Sequence, residues 1–314
     1  MAVSQKQIAE RLGVSIALVS RVLSGKARAV GIADATIDRV LVTAEEMGYV
    51  PSAAALTLKG KSSRTIGVVV YDFRDPFFGV IIEKLQERAH ERNYSLVLAG
   101  FKGRHPEPSD LAPLHKHAID GLIVLGSAER SEWLSGFRGM PVARVGHGPA
   151  DEPSVRVAVD EHHAAERVVE HLVARGWKRC AFIGANLWGH ALRFQALEKA
   201  ASAAGLGVER HLWASDGFEA GEQTVGRLGA AGAGLVCATD VIAMGALHAL
   251  HASGEATPVI GFDDIPLAAR FIPPITTIQQ PLGEMVRHAF DAVLKPAEPK
   301  EILVPGKLII RSSA

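Results

Sequence analysis

Short runs of branched apolar residues alternate with helix-like stretches from about residue 65 to residue 280. The first half of this segment contains TIGVVVYD, YSLVLAG, DGLIVLG and PVARVG, and the second half contains RCAFIGA, AGLVCATD, PVIGFDD and ITTIQQ. Because these runs lack a clean alternation of apolar and polar residues, we expect strands of parallel sheets that are buried on both faces. Two such series predict an α/β body with two doubly wound lobes, whose ligand binds outside the carboxyl ends of the strands.

The amino-acid composition excludes chains that are mainly disordered or embedded in a membrane. Hydrophobic residues make up 48% of the 314 residues and charged residues 22%, and no apolar run reaches the length of a membrane span. The two cysteines, Cys180 and Cys237, lie within runs predicted as strands, which favours buried structural thiols over nucleophiles or ligands. The opening residues MAVSQKQIAE show no secretory signal, so we expect a location in the cytoplasm.

The sequence contains no pattern that indicates catalysis, a cofactor or a metal site. It has no GxxxxGK[ST], GxSxG or HExxH string and no strand-turn-helix glycine fingerprint of a dinucleotide site. Thirteen histidines include neighbours such as His162 and His163, but no cysteine or carboxylate cluster completes a ligand set around them. We therefore predict that the protein is not an enzyme and has no cofactor, no catalytic residue and no metal site.

Charge is distributed unevenly along the chain, although the total is zero. Residues 1–64 carry nine Lys and Arg against five Asp and Glu, a net charge of +4, so the other 250 residues carry −4. A small basic module attached to a larger, near-neutral body is typical of proteins that bind nucleic acids, but ordinary domains also show differences of this size. The helical pattern of the same segment is the stronger indication.

Three short helices are predicted within the first fifty residues. The spacing of apolar residues predicts a helix over residues 5–12, and Gly13 fits the tight turn after it. Ser15 is a good N-cap for a second helix, which Gly25 closes, and a third helix is predicted over residues 33–47. Two short helices joined by a glycine turn are a helix-turn-helix, and the third helix can cover both in a shared miniature core.

Two segments of the chain carry a long and specific likeness: AERLGVSIALVSRVLSG, and IADATIDRVLVTAEEMGYVPSAAALTLKGKSSRTIGVVV. They resemble the DNA-binding head of LacI/GalR (lactose-repressor type) transcriptional regulators. The likeness continues through YDFRDPFFGVIIEKLQ and ATDVIAMGALHALHASG, so it covers nearly the whole chain. It implies a helix-turn-helix, three-helix head at residues 1–50, a hinge helix and linker at 51–64, and a two-lobed effector-binding and dimerisation domain at 65–314. That body is like a periplasmic binding protein, with three crossings of the chain between its lobes.

The resemblance implies that the second helix lies in the major groove and reads bases through its first side chains. Arg21 is then expected to make a bidentate contact with guanine, worth about 1–3 kcal/mol of discrimination. Ile16 and Ala17 replace the polar or basic pair usual in the family, so we expect them to contact thymine methyl groups; alternatively, Ile16 packs against the protein. The predicted DNA contacts of the head are Ser15, Ile16, Ala17, Ser20, Arg21 and Lys26.

The linker is assigned to the minor groove by the same resemblance. Residues 52–58 are too few for a stable isolated helix, which needs about 12–15 residues. In the family this segment pairs across the dimer, and Leu58 occupies the place of a leucine that wedges between base pairs and kinks the duplex. Ala55 and Leu58 are therefore predicted DNA contacts; the alternative is a flexible tether.

Eight residues are predicted to line the effector site. Carboxylates at strand ends accept hydrogen bonds from vicinal hydroxyls, and aromatic faces cover the C–H side of a sugar or the plane of a base. Arg193 matches the family's effector arginine, although Ala196 stands where glycine is usual, and a guanidinium also suits a carboxylate or a phosphate. For Asp240 and Asp263 the alternative role is a helix N-cap. The predicted set is Asp72, Phe77, Phe78, Trp188, His190, Arg193, Asp240 and Asp263.

Together these features predict a transcriptional regulator, expected to repress, that binds a near-palindromic double-stranded DNA operator as a homodimer and has no membrane partner. Its affinity for the operator is expected to respond to a small polar metabolite, by preference a sugar or a sugar acid. The last residues, 312–314, are not followed by the leucine heptads that form a tetramer in one branch of the family, so we expect a dimer. The alternatives are a sugar-binding module without DNA function and a small-molecule kinase or isomerase.

Overall fold

The computed structural model describes residues 3–49, 62–101, 103–104, 106–213, 217–228, 232–254, 257–295 and 297–314 of the chain. The chain divides into two compact units, Met1–Ser63 and Arg64–Ala314. The predicted hinge contacts Ala55 and Leu58 lie outside the described residues. No helix in the described ranges is both long enough and apolar enough to cross a bilayer.

The described part of the first unit contains the helices α1 (Gln5–Leu12), α2 (Ile16–Leu23) and α3 (Asp34–Glu46). A reciprocal capping box between Ser4 and Gln7 begins α1, and Gly13 ends it with a φ of 66°, in the left-handed region that favours glycine. Val19 and Val40 lie in the small buried core that the three helices share. The helix bounds agree with the sequence predictions to within one residue.

The second unit consists of parallel sheets covered by helices. Its strands in chain order are β1 (Thr65–Val70), β2 (Ser95–Gly100), β3 (Gly121–Leu125), β4 (Val142–Val145), β5 (Val155–Val159), β6 (Arg179–Ala185), β7 (Gly207–Trp213), β8 (Gly234–Cys237), β9 (Val259–Asp263), β10 (Thr276–Gln279), β11 (Lys300–Val304) and β12 (Lys307–Ile309). Its helices are α4 (Pro76–Glu91), α5 (Pro108–Lys116), α6 (Glu161–Ala174), α7 (Trp188–Ala203), α8 (Phe218–Leu228), α9 (Asp240–Ser253) and α10 (Leu282–Leu294).

The strands form two sheets, one in each lobe. In lobe 1 the order is β2-β1-β3-β4-β5-β11, and every pair is parallel. In lobe 2 the order is β7-β6-β8-β9-β10-β12, where β12 runs antiparallel to β10 and departs from the parallel expectation. The predicted two-lobed, doubly wound α/β body is confirmed.

Helices bury both faces of the central strands. In lobe 1, α4 and α10 pack on one face of the sheet, while α5 and a 3-10 turn at Glu132–Phe137 pack on the other. In lobe 2, residues of α6, α7, α8 and α9 join the strands in one apolar cluster. Cys180 and Cys237 lie buried in that cluster as free thiols, as predicted, and burial raises the pKa of Cys180 to about 12.

The described chain passes between the lobes three times, as the family resemblance implied. It crosses at Asp160, between β5 and α6, and returns at residues 280–281, between β10 and α10. It crosses again at residues 305–306, between β11 and β12. The space between the lobes therefore lies beside these three crossing segments.

Candidate nucleic-acid interface and ligand cavity

Helix α2 begins at a capped serine and carries an exposed isoleucine in its first turn. The Oγ of Ser15 accepts a hydrogen bond from the backbone N–H of Leu18 at 3.2 Å, which satisfies one of the open donors at the helix start. Ile16 is 49% exposed, so the structure does not support the alternative that it packs against the protein. An exposed apolar side chain at this position is available to a partner.

Most of the other predicted DNA contacts of the head lie on its solvent side. Ala17, Arg21 and Lys26 are exposed, and Ser20 is half-buried, while the opposite side of α2 is buried in the core of the head. Cations neutralise phosphates or pair with guanine, and apolar groups contact thymine methyl groups. The solvent side of the head, along α2 and just beyond its end, therefore combines the two kinds of side chain that read a major groove.

A cavity of about 330 Å³ lies between the two lobes, at the carboxyl ends of their strands. Its volume is at the lower end of the range of about 300–1,000 Å³ for sites that bind small molecules. Both crossings beside it contribute wall residues, Glu161 from the first and Gln280 from the second. Six of the eight predicted effector residues line the cavity: Phe77, Phe78, Trp188, His190, Arg193 and Asp263.

The structure does not bring Asp72 to the cavity wall, which corrects that sequence prediction. Asp72 lies two residues beyond the end of β1 and is turned toward Arg74, whose Nη2 lies 2.5 Å from its Oδ2. The hydrogen bonds from Arg74 lower the pKa of Asp72. Because Asp72 follows a strand, it lies near the carboxyl edge of the sheet, but its side chain is turned toward Arg74 by the ion pair.

Asp240 was also predicted to line the cavity, but it lies outside the cavity wall. It is fully buried, and its carboxylate accepts hydrogen bonds from Thr277 Oγ1 at 2.5 Å and from the backbone N–H of Ile265 at 2.9 Å. Burial raises the pKa of Asp240 to about 7. The alternative N-cap role is wrong as well, because Thr239 caps α9 and Asp240 is its first residue.

Arg193 is held by an acidic residue that the sequence analysis missed. Its Nη2 lies 3.0 Å from Glu161 Oε1 and its Nε lies 3.1 Å from Oε2, a bidentate pair. Its Nη1 donates to the carbonyl oxygen of Ala238, and its Cζ lies 3.3 Å from the ring centroid of Phe262. Glu161 is buried in the first turn of α6. In the sequence, an acidic residue at this position indicates only a favourable interaction with the helix dipole, so nothing local pointed to its pairing with Arg193.

His190 is a neutral hydrogen-bond donor at the cavity. Its Nδ1 accepts a hydrogen bond from the backbone N–H of Ala185 at 2.9 Å, so the neutral ring carries its proton on Nε2. Burial, and secondarily the charge of Arg193, lowers the pKa of His190 to about 3. The residue belongs to α7, which begins at Trp188.

Asp263 ends strand β9 in an unusual backbone conformation. Its φ is 111°, a region that few residues other than glycine adopt, so its surroundings hold it there. Gln280 Nε2 donates to its Oδ1 at 2.8 Å, and burial raises its pKa well above the ordinary value against the opposing charge of Arg193. The N-cap alternative is wrong here too, because no helix begins directly after Asp263.

His147, a second residue that the sequence analysis missed, lies between two carboxylates. Its Nδ1 is 3.3 Å from Glu301 Oε1, and its Nε2 is 3.9 Å from Glu161 Oε1. Within the described residues its buried Nε2 has no hydrogen-bond partner. Its ring also meets the edge of Trp188, with the ring centroids 6.5 Å apart. His147 therefore connects lobe 1 to the first crossing and to the wall of lobe 2.

A buried ion pair supports the lobe 1 side of the cavity. Arg144, on β4, donates through Nη2 to Glu152 Oε2 at 2.6 Å, and both side chains are almost fully buried. Ser131 and Ser154 also donate to this carboxylate, and Arg144 Nη1 donates to the carbonyl oxygen of Gly126 at 2.8 Å. Burial acts to raise the pKa of Glu152, but the hydrogen bonds and charge of Arg144, together with the hydroxyl donors of Ser131 and Ser154, outweigh it and the pKa is lowered.

Aromatic rings form the apolar part of the wall. The ring centroids of Phe77 and Phe78 are 5.6 Å apart, and those of Tyr71 and Phe78 are 6.3 Å apart. All three rings line the cavity, as do Trp133 and Trp188. The cavity thus offers ring faces beside a small number of hydrogen-bonding groups, which suits a small ligand with an apolar face and polar edges.

Comparison with known protein families gives one match in each unit. Residues 5–52 match the family described as bacterial regulatory proteins, lacI family. Residues 169–314 match the periplasmic binding protein-like domain. The first match covers the three helices of the head, and the second covers most of lobe 2 together with the returning segments.

Individual relatives cover nearly the whole chain. The HTH-type transcriptional regulator RegA of Clostridium saccharobutylicum is 31% identical over 98% of this chain and 97% of its own. The HTH-type transcriptional repressor PurR of Haemophilus influenzae (strain PittEE) is also 31% identical, over the same shares. The crystal structure of the Lac repressor dimer bound to operator and the anti-inducer ONPF superposes with a TM-score of 0.83, at 22% identity, over 100% of this chain and 99% of that one. That likeness concerns the fold.

Proposed function

The chain belongs to the lacI family of bacterial regulatory proteins, and we propose that a sugar or sugar acid bound in its cavity controls its affinity for operator DNA. Its relatives are DNA-binding transcriptional regulators and repressors with an effector-binding domain, and they are not enzymes. The sugar-binding module without DNA function is not favoured, because residues 5–52 match the family's DNA-binding head. Members of the family bind operators and small effectors and form dimers.

We propose that the protein acts in the cytoplasm and that α2 of each protomer enters the major groove of one operator half-site. The exposed Ile16, Arg21 and Lys26 support this placement, because they share the solvent side of the head. The linker at residues 51–64 is proposed as the minor-groove hinge, with Ala55 and Leu58 as its contacts, on the family resemblance alone. The body at residues 65–314 then binds the effector and forms the homodimer, with half-sites about one helical turn apart.

One observation carries the effector proposal: directional hydrogen-bonding groups lie beside aromatic faces in a cavity at the lobe crossings. His190 Nε2 is a donor, the Asp263 carboxyl is an acceptor or a donor according to its protonation, and Phe77 and Trp188 supply ring faces. Sugars present hydroxyl edges and C–H faces that match these groups.

The location of the cavity supports a mechanism of control. Glu161 and Gln280 belong to the crossings and also line the cavity, so a ligand that bridges the lobes acts on the segments that set their relative position. Such a ligand changes DNA affinity by its differential affinity for the two positions of the lobes.

The full chain is expected to bind selected DNA fragments with an affinity that falls steeply with salt and changes when the right sugar is added. Each neutralised phosphate contributes a slope of about −0.9 to the plot of log affinity against log salt concentration. Retention of a random fragment pool at two salt concentrations, with and without each of a panel of sugars and sugar acids, measures both effects. Retention that is absent or insensitive to salt contradicts the DNA-binding proposal, and retention that no panel member alters contradicts the effector class.

Replacement of Arg21 by alanine is expected to relax the base preference at one position of each half-site. A good bidentate pair contributes about 1–3 kcal/mol of discrimination, so the preferred base should lose roughly tenfold to a hundredfold of its advantage. Arg39→Ala, which removes the same charge from the exposed side of α3, is the matched control and should leave the selected motif unchanged. An Arg21→Ala protein that selects the wild-type motif contradicts the role given to Arg21.

A further inference from the structure

The arginines that line the cavity are already committed to carboxylates. Arg193 pairs with Glu161 and Arg144 with Glu152, and both pairs are largely buried. Nearer the surface, Arg104 pairs with Asp110 and Arg130 with Glu132. Each of the four arginines in the described wall thus has an acidic partner, so an anionic ligand competes with a carboxylate for each of these cations.

The pair of Arg193 and Glu161 determines which charge a ligand meets on the lobe 2 side of the cavity, because Arg193 alone among the four arginines projects from lobe 2. Glu161 holds its Nε and Nη2, the edge that would form a bidentate pair with a ligand carboxylate. Ala238 occupies Nη1, and Phe262 covers the face of the guanidinium. A competing carboxylate would also lie close to Glu161 itself, and two like charges in a desolvated site repel each other and oppose binding.

The other polar groups of the inner wall are suited to single hydrogen bonds with hydroxyl groups. The Asp263 carboxyl lies on the same side of the cavity and is held by Gln280. His190 offers one neutral N–H, and within the described residues the buried Nε2 of His147 has no hydrogen-bond partner. The Asp263 carboxyl and the neutral ring of His190 exchange single hydrogen bonds with a ligand and carry no positive charge.

We propose that Glu161 is a specificity-determining residue that occupies the guanidinium of Arg193 and so restricts the cavity to uncharged, hydroxyl-bearing ligands. The inference rests on the proposed function and narrows it, because it selects neutral sugars and excludes the corresponding sugar acids. Replacement of Glu161 by glutamine keeps the size of the side chain but removes its charge and one of its two acceptor oxygens, so a ligand carboxylate can compete for the guanidinium of Arg193.

The test measures binding of matched probes to the purified full chain. The probes are D-glucose, D-galactose and D-ribose with D-glucuronate, D-galacturonate and D-ribonate, and the signal is the fluorescence of the tryptophans that line the cavity, checked by calorimetry. For Glu161→Gln we expect the affinity for the acid relative to its neutral partner to rise at least tenfold over the wild-type ratio. Glu166→Gln, an exposed change on the same helix, should leave the ratio unchanged, and Glu161→Asp should keep the preference for neutral probes.

The acid binding of the wild type and of Glu161→Gln decides whether Glu161 restricts the ligands of the cavity. A gain of acid binding in Glu161→Gln supports it whether or not the wild type binds one of the three neutral probes. A wild type that prefers an acid, or a folded Glu161→Gln protein that gains no acid binding, overturns it; a thermal unfolding curve establishes that the variant is folded. DNA retention is measured separately on the same protein, so a chain that discriminates sugars but binds no DNA contradicts the proposed function and leaves this inference standing.

Discussion

Replacement of Arg193 by methionine is expected to weaken binding of a neutral sugar by about a hundredfold and to make operator binding insensitive to that sugar. A hydrogen bond to a charged group contributes about 1.5–3 kcal/mol, so the loss of one or two such bonds corresponds to this factor. Arg193 still has donor positions beyond those that Glu161 and Ala238 occupy, since a guanidinium carries five N–H groups. The measurement is a titration of the sugar that gives the largest increase in Tm of the wild type.

The controls separate a lost contact from a damaged fold. Lys199→Met removes an exposed cation from the same helix, α7, and should leave sugar binding and DNA binding unchanged. Arg193→Met combined with Glu161→Gln removes both members of the ion pair, so no buried charge is left without a partner. Sugar affinity that is unchanged in both the single and the double variant contradicts the placement of Arg193 at the ligand.

Replacement of Arg144 by methionine is expected to lower the free energy of unfolding of the body by about 3–5 kcal/mol, because it leaves the buried Glu152 without its cation. The hydroxyls of Ser131 and Ser154 remain as donors, but neither carries a charge to offset the carboxylate. Urea unfolding of the body measures the change. Arg138→Met, an exposed control nearby, should change stability by no more than about 0.5 kcal/mol.

The effect of Arg144→Met should also depend on pH with a definite sign. Because the pKa of Glu152 is lowered in the folded protein, the pair stabilises the fold fully above the ordinary carboxyl pKa of 4.5, and this contribution is lost as pH falls through the lowered value. The difference in stability between wild type and variant should therefore be largest near neutral pH and shrink in acid. A difference that grows as the pH falls contradicts the assignment.

The helices of the head could be predicted because their signals are local. Ser15 caps α2 through a bond to a residue three positions away, and Gly13 ends α1 by a backbone preference of its own. The two doubly wound lobes and the three crossings were predicted from the family resemblance together with the apolar runs, whereas the order of the strands within each sheet came only from the structure. The antiparallel direction of β12 could not be predicted, because three half-buried or exposed residues carry no pattern of orientation.

The cavity wall was predictable only in part, since position at a strand end does not state where a side chain turns. Asp263 lines the cavity because Gln280 and a positive φ hold it there, whereas Asp240, at a similar place after β8, bonds to Thr277 and Ile265 instead. These partners are 17 to 37 residues away in the chain, so no local pattern contains them.

Residue order alone was enough to indicate a three-helix head, a two-lobed α/β body and a crevice for a polar metabolite, because capping, periodicity and family likeness reside in neighbouring residues. Which acidic residue pairs with which arginine could be seen only in the tertiary structure. Glu161 and Arg193 are 32 residues apart, and Arg144 appears in sequence as one polar residue within an apolar strand. Long-range packing chooses such partners, and through them it decides which charges a ligand meets in the cavity.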